Sequence, residues 1–243
     1  MSKVRGLFVT GTDTCVGKTM VTAALTAAFR AEGLNAGVWK PVQSGALLGS
    51  GVTDAECLLK RSGIDECPEA VAPFTFEASL TPFLAAKHAG VTLTIKELIA
   101  AGEPLINRYE ALLIEGAGGV AVPLTEDSLV IDLISELHTP ALVVSHSGLG
   151  TINHTLLTVS LLRQRDIPIV GVIMNDGALE SHDDPSVSTN ADLIERYGGV
   201  KVLGRFPRLY GEVNTELLVH TVRATIQLTP IRQALSYHIK GDE

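Results

Sequence analysis

The sequence predicts an α/β protein: one doubly wound domain over residues 1–243, its mostly parallel sheet flanked by helices. Three observations point there. Short apolar runs alternate with helix-period patterns almost to the end of the chain. Several of those runs are β-branched and apolar without interruption, as strands covered by helices on both faces require. No repeat, low-complexity tract or Gly/Ser linker divides the chain.

The elements follow in order. A strand at Gly6–Thr10 enters a Gly/Thr-rich loop, and an Ala-rich helix spans Gly17–Glu32. Apolar runs predict further strands at Ala36–Lys40, Ala111–Glu115, Ala141–Ser145, Ile169–Met174 and Val200–Gly204. Helical spacing predicts helices at Ala55–Arg61, Leu80–His88, Ile95–Tyr109, Leu129–Leu137, Thr151–Arg165 and Asn190–Tyr197, with a helical C-terminal region from about Glu216. Gly45–Thr53 reads as a flexible stretch, and Ser181–Ser188, with His182, Asp183 and Asp184, as a solvated loop.

Composition limits the partners. Hydrophobic residues make up 46% of the chain, ample for a buried core. With 27 acidic and 19 basic residues the net charge is −8, which disfavours nucleic acid or an anionic membrane as a partner. An anionic nucleotide, held by a few local groups, is not disfavoured. The three cysteines form no C-x-x-C pair and read as reduced thiols. No apolar run approaches the roughly 20 residues of a membrane helix, and a soluble cytoplasmic protein is expected.

Residues 11–19, GTDTCVGKT, just miss the phosphate-loop pattern G-x-x-x-x-G-K-[ST], because Thr12 stands where the first glycine should be. An ordinary βα turn with a surface lysine would also contain such residues. Yet strand, loop and helix stand in the required order, which makes the fold P-loop NTPase-like. The helix N-terminus offers unpaired N–H groups and a positive dipole end. Gly17 permits close backbone approach, Lys18 reaches the β- and γ-phosphates, and the Thr19 hydroxyl is a ligand for Mg²⁺. Cys15, inside the loop, reads as a small space-filling residue.

Other strand ends add candidates, as expected of ligand sites in open α/β sheets. The run Ala111–Glu115 ends in a carboxylate before Gly116-Ala117-Gly118-Gly119, the pattern of a second nucleotide motif with Glu for Asp. Asp54 opens a helix, where an N-cap role alone would explain it, and nothing local ranks it above Glu56 as a metal ligand. Lys40, pinned before Pro41, is as plausible an anion partner as a plain surface lysine. Gly148–His154 is a second glycine-led helix N-terminus, open either to a carboxylate or to ordinary capping. Asn175-Asp176, at the end of the strand Ile169–Met174, is a candidate for recognising a base edge, and the absence of Asn-Lys-x-Asp favours adenine over guanine.

Taken together, GTDTCVGKT at 11–19, KPVQSG at 40–45, Asp54 in VTDAE, IEGAGG at 114–119, GTINHTLLT at 150–158, ND at 175–176 and LGRFPRL at 203–209 resemble the dethiobiotin synthetase family over nearly the whole chain. In that family the loop itself carries the extra residue. The resemblance implies an ATP- and Mg²⁺-dependent ligase of biotin synthesis, in which 7,8-diaminononanoate and CO2 give a carbamate. ATP phosphorylates the carbamate, and the second amine closes the ring. It further implies that Thr12, Asp13, Thr14, Cys15, Val16, Gly17, Lys18 and Thr19 bind nucleotide with Glu115, Gly118, Asn175, Phe206 and Pro207. Lys18, Lys40, Thr14 and Ser44 would act in catalysis; Thr19, Asp54 and Glu115 would hold Mg²⁺. The substrate would meet Ser44, Gly118 and the segment Gly150, Thr151, Ile152 and Asn153, its carboxylate bound across a homodimer interface.

Two positions depart from the family. Cys15 stands where many members have Glu, and Thr81-Pro82-Phe83 where Ser-Pro-His is common, so Phe83 cannot repeat a polar contact. Two other readings share this loop style. A cobyrinate-type amidating synthase needs a glutaminase domain for which 243 residues leave no room. A partner-regulated ATPase switch commonly carries an extra lysine at the loop's start, where this chain has Gly11 or Thr12.

Overall fold

The computed structural model describes residues 4–178 and 184–236. His182 and Asp183 lie outside them. Strand β1 (Gly6–Gly11) leads through the loop into α1 (Lys18–Ala31), followed by β2 (Ala36–Trp39), β3 (Val42–Ser44), α2 (Asp54–Ser62), α3 (Pro68–Val71), β4 (Phe74–Phe76) and α4 (Pro82–His88). Then come α5 (Ile95–Arg108), β5 (Ala111–Gly119), α6 (Val130–Leu137), β6 (Ala141–His146), α7 (Thr151–Gln164) and β7 (Ile169–Asn175). The chain continues with α8 (Asn190–Gly198), β8 (Val202–Phe206), α9 (Thr215–Thr225) and α10 (Leu228–Ser236).

Six strands form one parallel sheet in the order β2-β5-β1-β6-β7-β8, and β3 and β4 pair in parallel beside it. The strand period of two splits the core. Phe8, Leu112, Ile114 and Val143 face the layer containing α5 and α6, with Leu98, Leu105 and Ile134. Leu7, Val9, Leu113, Leu142 and Val144 face α1, α9 and α10, against Leu25, Phe29, Val222 and Ile231. The fully buried Trp39 fixes how α5 sits: a Cβ on Gly102 would lie 2.5 Å from its ring, so only glycine lets the helix approach.

All six predicted strands form, with shifted ends. β2 stops at Trp39, before Lys40, while β5 runs past Glu115 to Gly119 and β8 spans Val202–Phe206. The C-terminal helical region is two helices, interrupted where Ile226 bridges to Gly204. Strands β3 and β4 and helix α3, three or four residues each, were not anticipated. Among the described residues no helix is long and apolar enough to cross a membrane.

Candidate functional site

β1 and β5 are neighbours in the sheet, so the loop after β1 and Glu115 on β5 meet at the strands' C-terminal edge. The loop is held from both sides. Thr12 N–H donates to Val144 O at 3.0 Å, and the Asn175 amide donates to Val16 O at 2.9 Å. Within it Lys18 Nζ donates to Asp13 O at 2.9 Å, while the Asp13 carboxylate accepts from the Thr14 N–H at 2.7 Å. Gly17 has φ 91°, and a Cβ there would stand 1.9 Å from Asn175 Nδ2, so the clasp requires glycine. No acidic side chain occupies the first turn of α1 and no side chain caps it, which leaves its amides to an anion.

Beside the loop lies a charged cluster. Lys40 Nζ is 2.7 Å from Asp54 Oδ2, 2.7 Å from Glu115 Oε1 and 3.0 Å from Gly116 O. The Thr19 hydroxyl lies 3.0 Å from Asp54 Oδ1 and 2.9 Å from Glu115 Oε1. Glu115 is fully buried, and its Oε2 has no hydrogen-bond partner. Burial pulls the Lys40 ammonium down, but Glu115 and Asp54 outweigh it and hold its pKa above the usual value. Burial pushes Asp54 up, and Lys40 with the Thr19 hydroxyl more than reverses it, so this carboxyl lies below its usual range. Burial pushes Glu115 upward as well. An ammonium in direct contact with it favours the ionised pair, and the cluster carries two anions. Lys18 differs: burial and then the charge of Lys40 lower its pKa from 10.5 to about 8.

A cavity of about 330 Å³ opens onto these groups, lined by Thr14, Cys15, Lys18, Thr19, Lys40, Ser44, Asp54, Glu115 and Gly118, among others. A second, of about 260 Å³, is lined by Asn175, Phe206, Pro207, Leu209 and Val213, among others. Cys15 and Gly17 line both. The first presents cations, a helix N-terminus and carboxylates, as a polyphosphate with a metal ion would need; the second is mostly apolar, with the Asn175 amide and Arg208 as its larger polar side chains. The oxygens fit Mg²⁺. Two carboxylates and a hydroxyl converge, one carboxylate oxygen is buried without a partner, and so sparse a set suits an ion that keeps water and phosphate ligands.

Most residues singled out from the sequence thus gather here. Thr12, Asp13 and Val16 shape the loop without lining either cavity; Val16 packs into the core. Asp54 rather than Glu56 enters the cluster, because Glu56 forms a capping box with Thr53 and accepts from Gly49 N–H at 2.8 Å. Cys15 does not fill space: it is exposed, in a left-handed conformation with φ 58°. Ser44 donates to Leu80 O at 2.7 Å. Phe83 lines a separate cavity with Lys87 and Glu126, away from the charged cluster. Gly150, Thr151, Ile152 and Asn153 line neither site cavity; Thr151 donates to His146 O at 2.6 Å. Asp184 is not merely solvated, since it accepts from Leu149 N–H at 2.7 Å and Ser186 N–H at 2.9 Å.

Gln43, Met20, Leu209 and Val213 line the cavities but were not singled out. Gln43 sat within the stretch KPVQSG, and its buried amide joins β4 to α2, donating to Thr75 Oγ1 at 2.9 Å and accepting from Ala55 N–H at 3.1 Å.

Known proteins resemble the chain at several levels. A family model described as an AAA domain matches residues 5–214. The protein named ATP-dependent dethiobiotin synthetase BioD of Bacillus cereus (strain B4264) is 39% identical over 228 residues, 94% of this chain and 93% of the relative. The one of the same name from Anaeromyxobacter dehalogenans (strain 2CP-C) is 48% identical over 193 residues, 79% of this chain and 85% of the relative. Among solved structures, the MinC:MinD cell division protein complex of Aquifex aeolicus matches with TM-score 0.53 at 14% identity, over 98% of each chain. A ParA family ATPase from Chlorobium tepidum TLS matches with TM-score 0.52 at 12% identity, over 94% of this chain and 97% of its own. At such identities these two show the fold alone.

Proposed function

The chain belongs to the dethiobiotin synthetase family, ATP-dependent ligases of the AAA-domain class, and from that premise we propose how its own residues carry the reaction. The substrates are 7,8-diaminononanoate, CO2 and ATP. One amine adds to CO2 and loses a proton, giving a carbamate. A carbamate oxygen attacks the γ-phosphorus and ADP leaves; the second amine then attacks the carbamoyl carbon, and phosphate departs as the cyclic urea closes.

A carbamate is an anionic, weak nucleophile, and its approach to a triphosphate is opposed by charge. The residues here answer that need by neutralisation and positioning. Lys18 and the free amides of α1 face the phosphates. Lys40 supplies positive charge where phosphoryl group and carbamate meet, and Thr14 and Ser44, on the rim of the same cavity, orient the substrate. Thr19, Asp54 and Glu115 hold Mg²⁺, which neutralises phosphate charge when bound. The base enters the cavity of Asn175, Phe206 and Pro207.

The substrate's distant carboxylate goes to Gly150–Asn153 of a second copy. In support, that segment lines neither cavity of its own chain, and Leu149 and Leu157 beside it are 81% and 63% exposed. We assign the chain to the cytoplasm as a single-domain homodimer. The observation that carries this function is the convergence of Lys18, Thr19, Lys40, Asp54 and Glu115 on one cavity. Phosphate release from ATP tests it: release should require both diamine and bicarbonate, with a product that supports a biotin-requiring strain. Turnover that ignores the diamine but responds to DNA or lipid would overturn it in favour of an ATPase switch.

A further inference from the structure

Lys40 has three N–H donors, and three acceptors surround it at 2.7, 2.7 and 3.0 Å: Asp54, Glu115 and the Gly116 carbonyl. The ammonium is fully engaged and buried, 2% exposed. It cannot turn to an anion in the cavity without giving up a partner. The carboxylates it bridges are also the ones the Thr19 hydroxyl bridges, at 3.0 and 2.9 Å. Those three oxygen-bearing groups are the cation ligands assigned above, so lysine and metal compete for one set of oxygens.

Charge makes the competition one-sided. Two carboxylates face two ammonium groups, Lys18 and Lys40, and the cluster is neutral as it stands. A free divalent cation would bring two uncompensated positive charges into a poorly solvated place. The complex of that cation with a nucleoside triphosphate brings net negative charge, which both lysines welcome.

We propose that Lys40 is an internal counter-ion that bars free divalent cations from the Asp54–Glu115 pair, so that the cation enters only with its nucleotide, and that Lys40 then releases a carboxylate and turns to the arriving anion. This deepens the function proposed above and rests on its cation ligands.

Mn²⁺ is the probe, its free and bound fractions read by electron paramagnetic resonance. Nucleotide-free wild type should hold no Mn²⁺ at millimolar concentration, and should hold one ion once a non-hydrolysable ATP analogue is added. Nucleotide-free Lys40→Met should bind Mn²⁺ at least about tenfold more tightly than wild type, and lose it again with Asp54→Asn added. Equal binding by Lys40→Met and wild type would overturn the proposal, as would tight binding to nucleotide-free wild type. A separate result exposes a failed ligand assignment: Mn²⁺ bound with the analogue but indifferent to Asp54→Asn and Glu115→Gln.

Lys40→Met leaves two carboxylates short of a partner, so a readout on unaltered protein stands beside it. In protein carrying ¹⁵N-lysine, the Lys40 ammonium signal should be unmoved by Mg²⁺ alone and shifted by Mg²⁺ with the analogue. A shift with Mg²⁺ alone of the same size would refute the counter-ion role.

Discussion

Lys18 should cost stability while it serves binding. Only 7% exposed, it carries a pKa of about 8 against 10.5 when unhindered, burial being the main cause and Lys40 the second. At 1.36 kcal/mol per tenfold in proton affinity, a charged Lys18 at pH 7 disfavours the folded state by roughly 3 kcal/mol. The sign follows from proton counting. Between pH 8 and 10.5 the unfolded chain holds this proton and the folded chain does not, so stability rises with pH through that window. The penalty is complete below pH 8. Lys18→Met keeps the apolar stem, removes the charge, and should unfold at higher urea than wild type at pH 7. The gap should narrow by about 2 kcal/mol on moving to pH 9.5, and taking the difference between the two proteins cancels other titrations. Meanwhile the rate of ATP-dependent ring closure should fall by several orders of magnitude, since charge stabilisation at the phosphoryl group is lost. A Lys18→Met protein less stable than wild type at pH 7, or a gap flat with pH, would refute the assignment of burial as the dominant influence.

Gly17→Ala combines a positive φ with the collision against Asn175, and should lose at least about 2 kcal/mol in urea unfolding together with nucleotide binding. Cys15→Gly relieves the left-handed conformation at the cost of unfolded-state freedom, for a net gain of about 0.5 kcal/mol in the same experiment. Asp54→Asn should raise the Mg²⁺ concentration for half-maximal rate by about tenfold or more, measured by phosphate release. Its melting temperature should also fall, because Asp54 is an ion-pair partner of the buried Lys40 ammonium and its carboxyl is held below the usual range. Leu157→Asp should shift a dimer to a monomer in light scattering and lower the apparent affinity for the diamine before that for ATP.

What could be read from the sequence follows physical range. Strands β1, β2, β5, β6 and β7 are largely buried, so their apolar runs stand out, whereas edge strand β8 exposes Arg205; the glycines and lysine of the loop are those that close approach to a phosphate would need. β3, β4 and α3 are too short to carry a period. Asp54 and Glu56 share one helix start; only the sheet, by bringing β5 alongside β1, selects Asp54 for Glu115, while Thr53 claims Glu56. The left-handed Cys15 was hidden because side chains rarely adopt that conformation and cysteine carries no sign of it.

The Asn175 amide has two employers. It forms part of the wall of the cavity assigned to the base, and through Val16 O it also braces the phosphate loop. Any substitution that rewrites base preference at this position therefore loosens the grip on phosphate in the same stroke, and selection cannot tune the two independently there. Leu209 and Val213 line the same cavity with apolar side chains that brace nothing polar. An altered nucleotide preference, whether evolved or designed, should accumulate at those two positions and leave Asn175 in place.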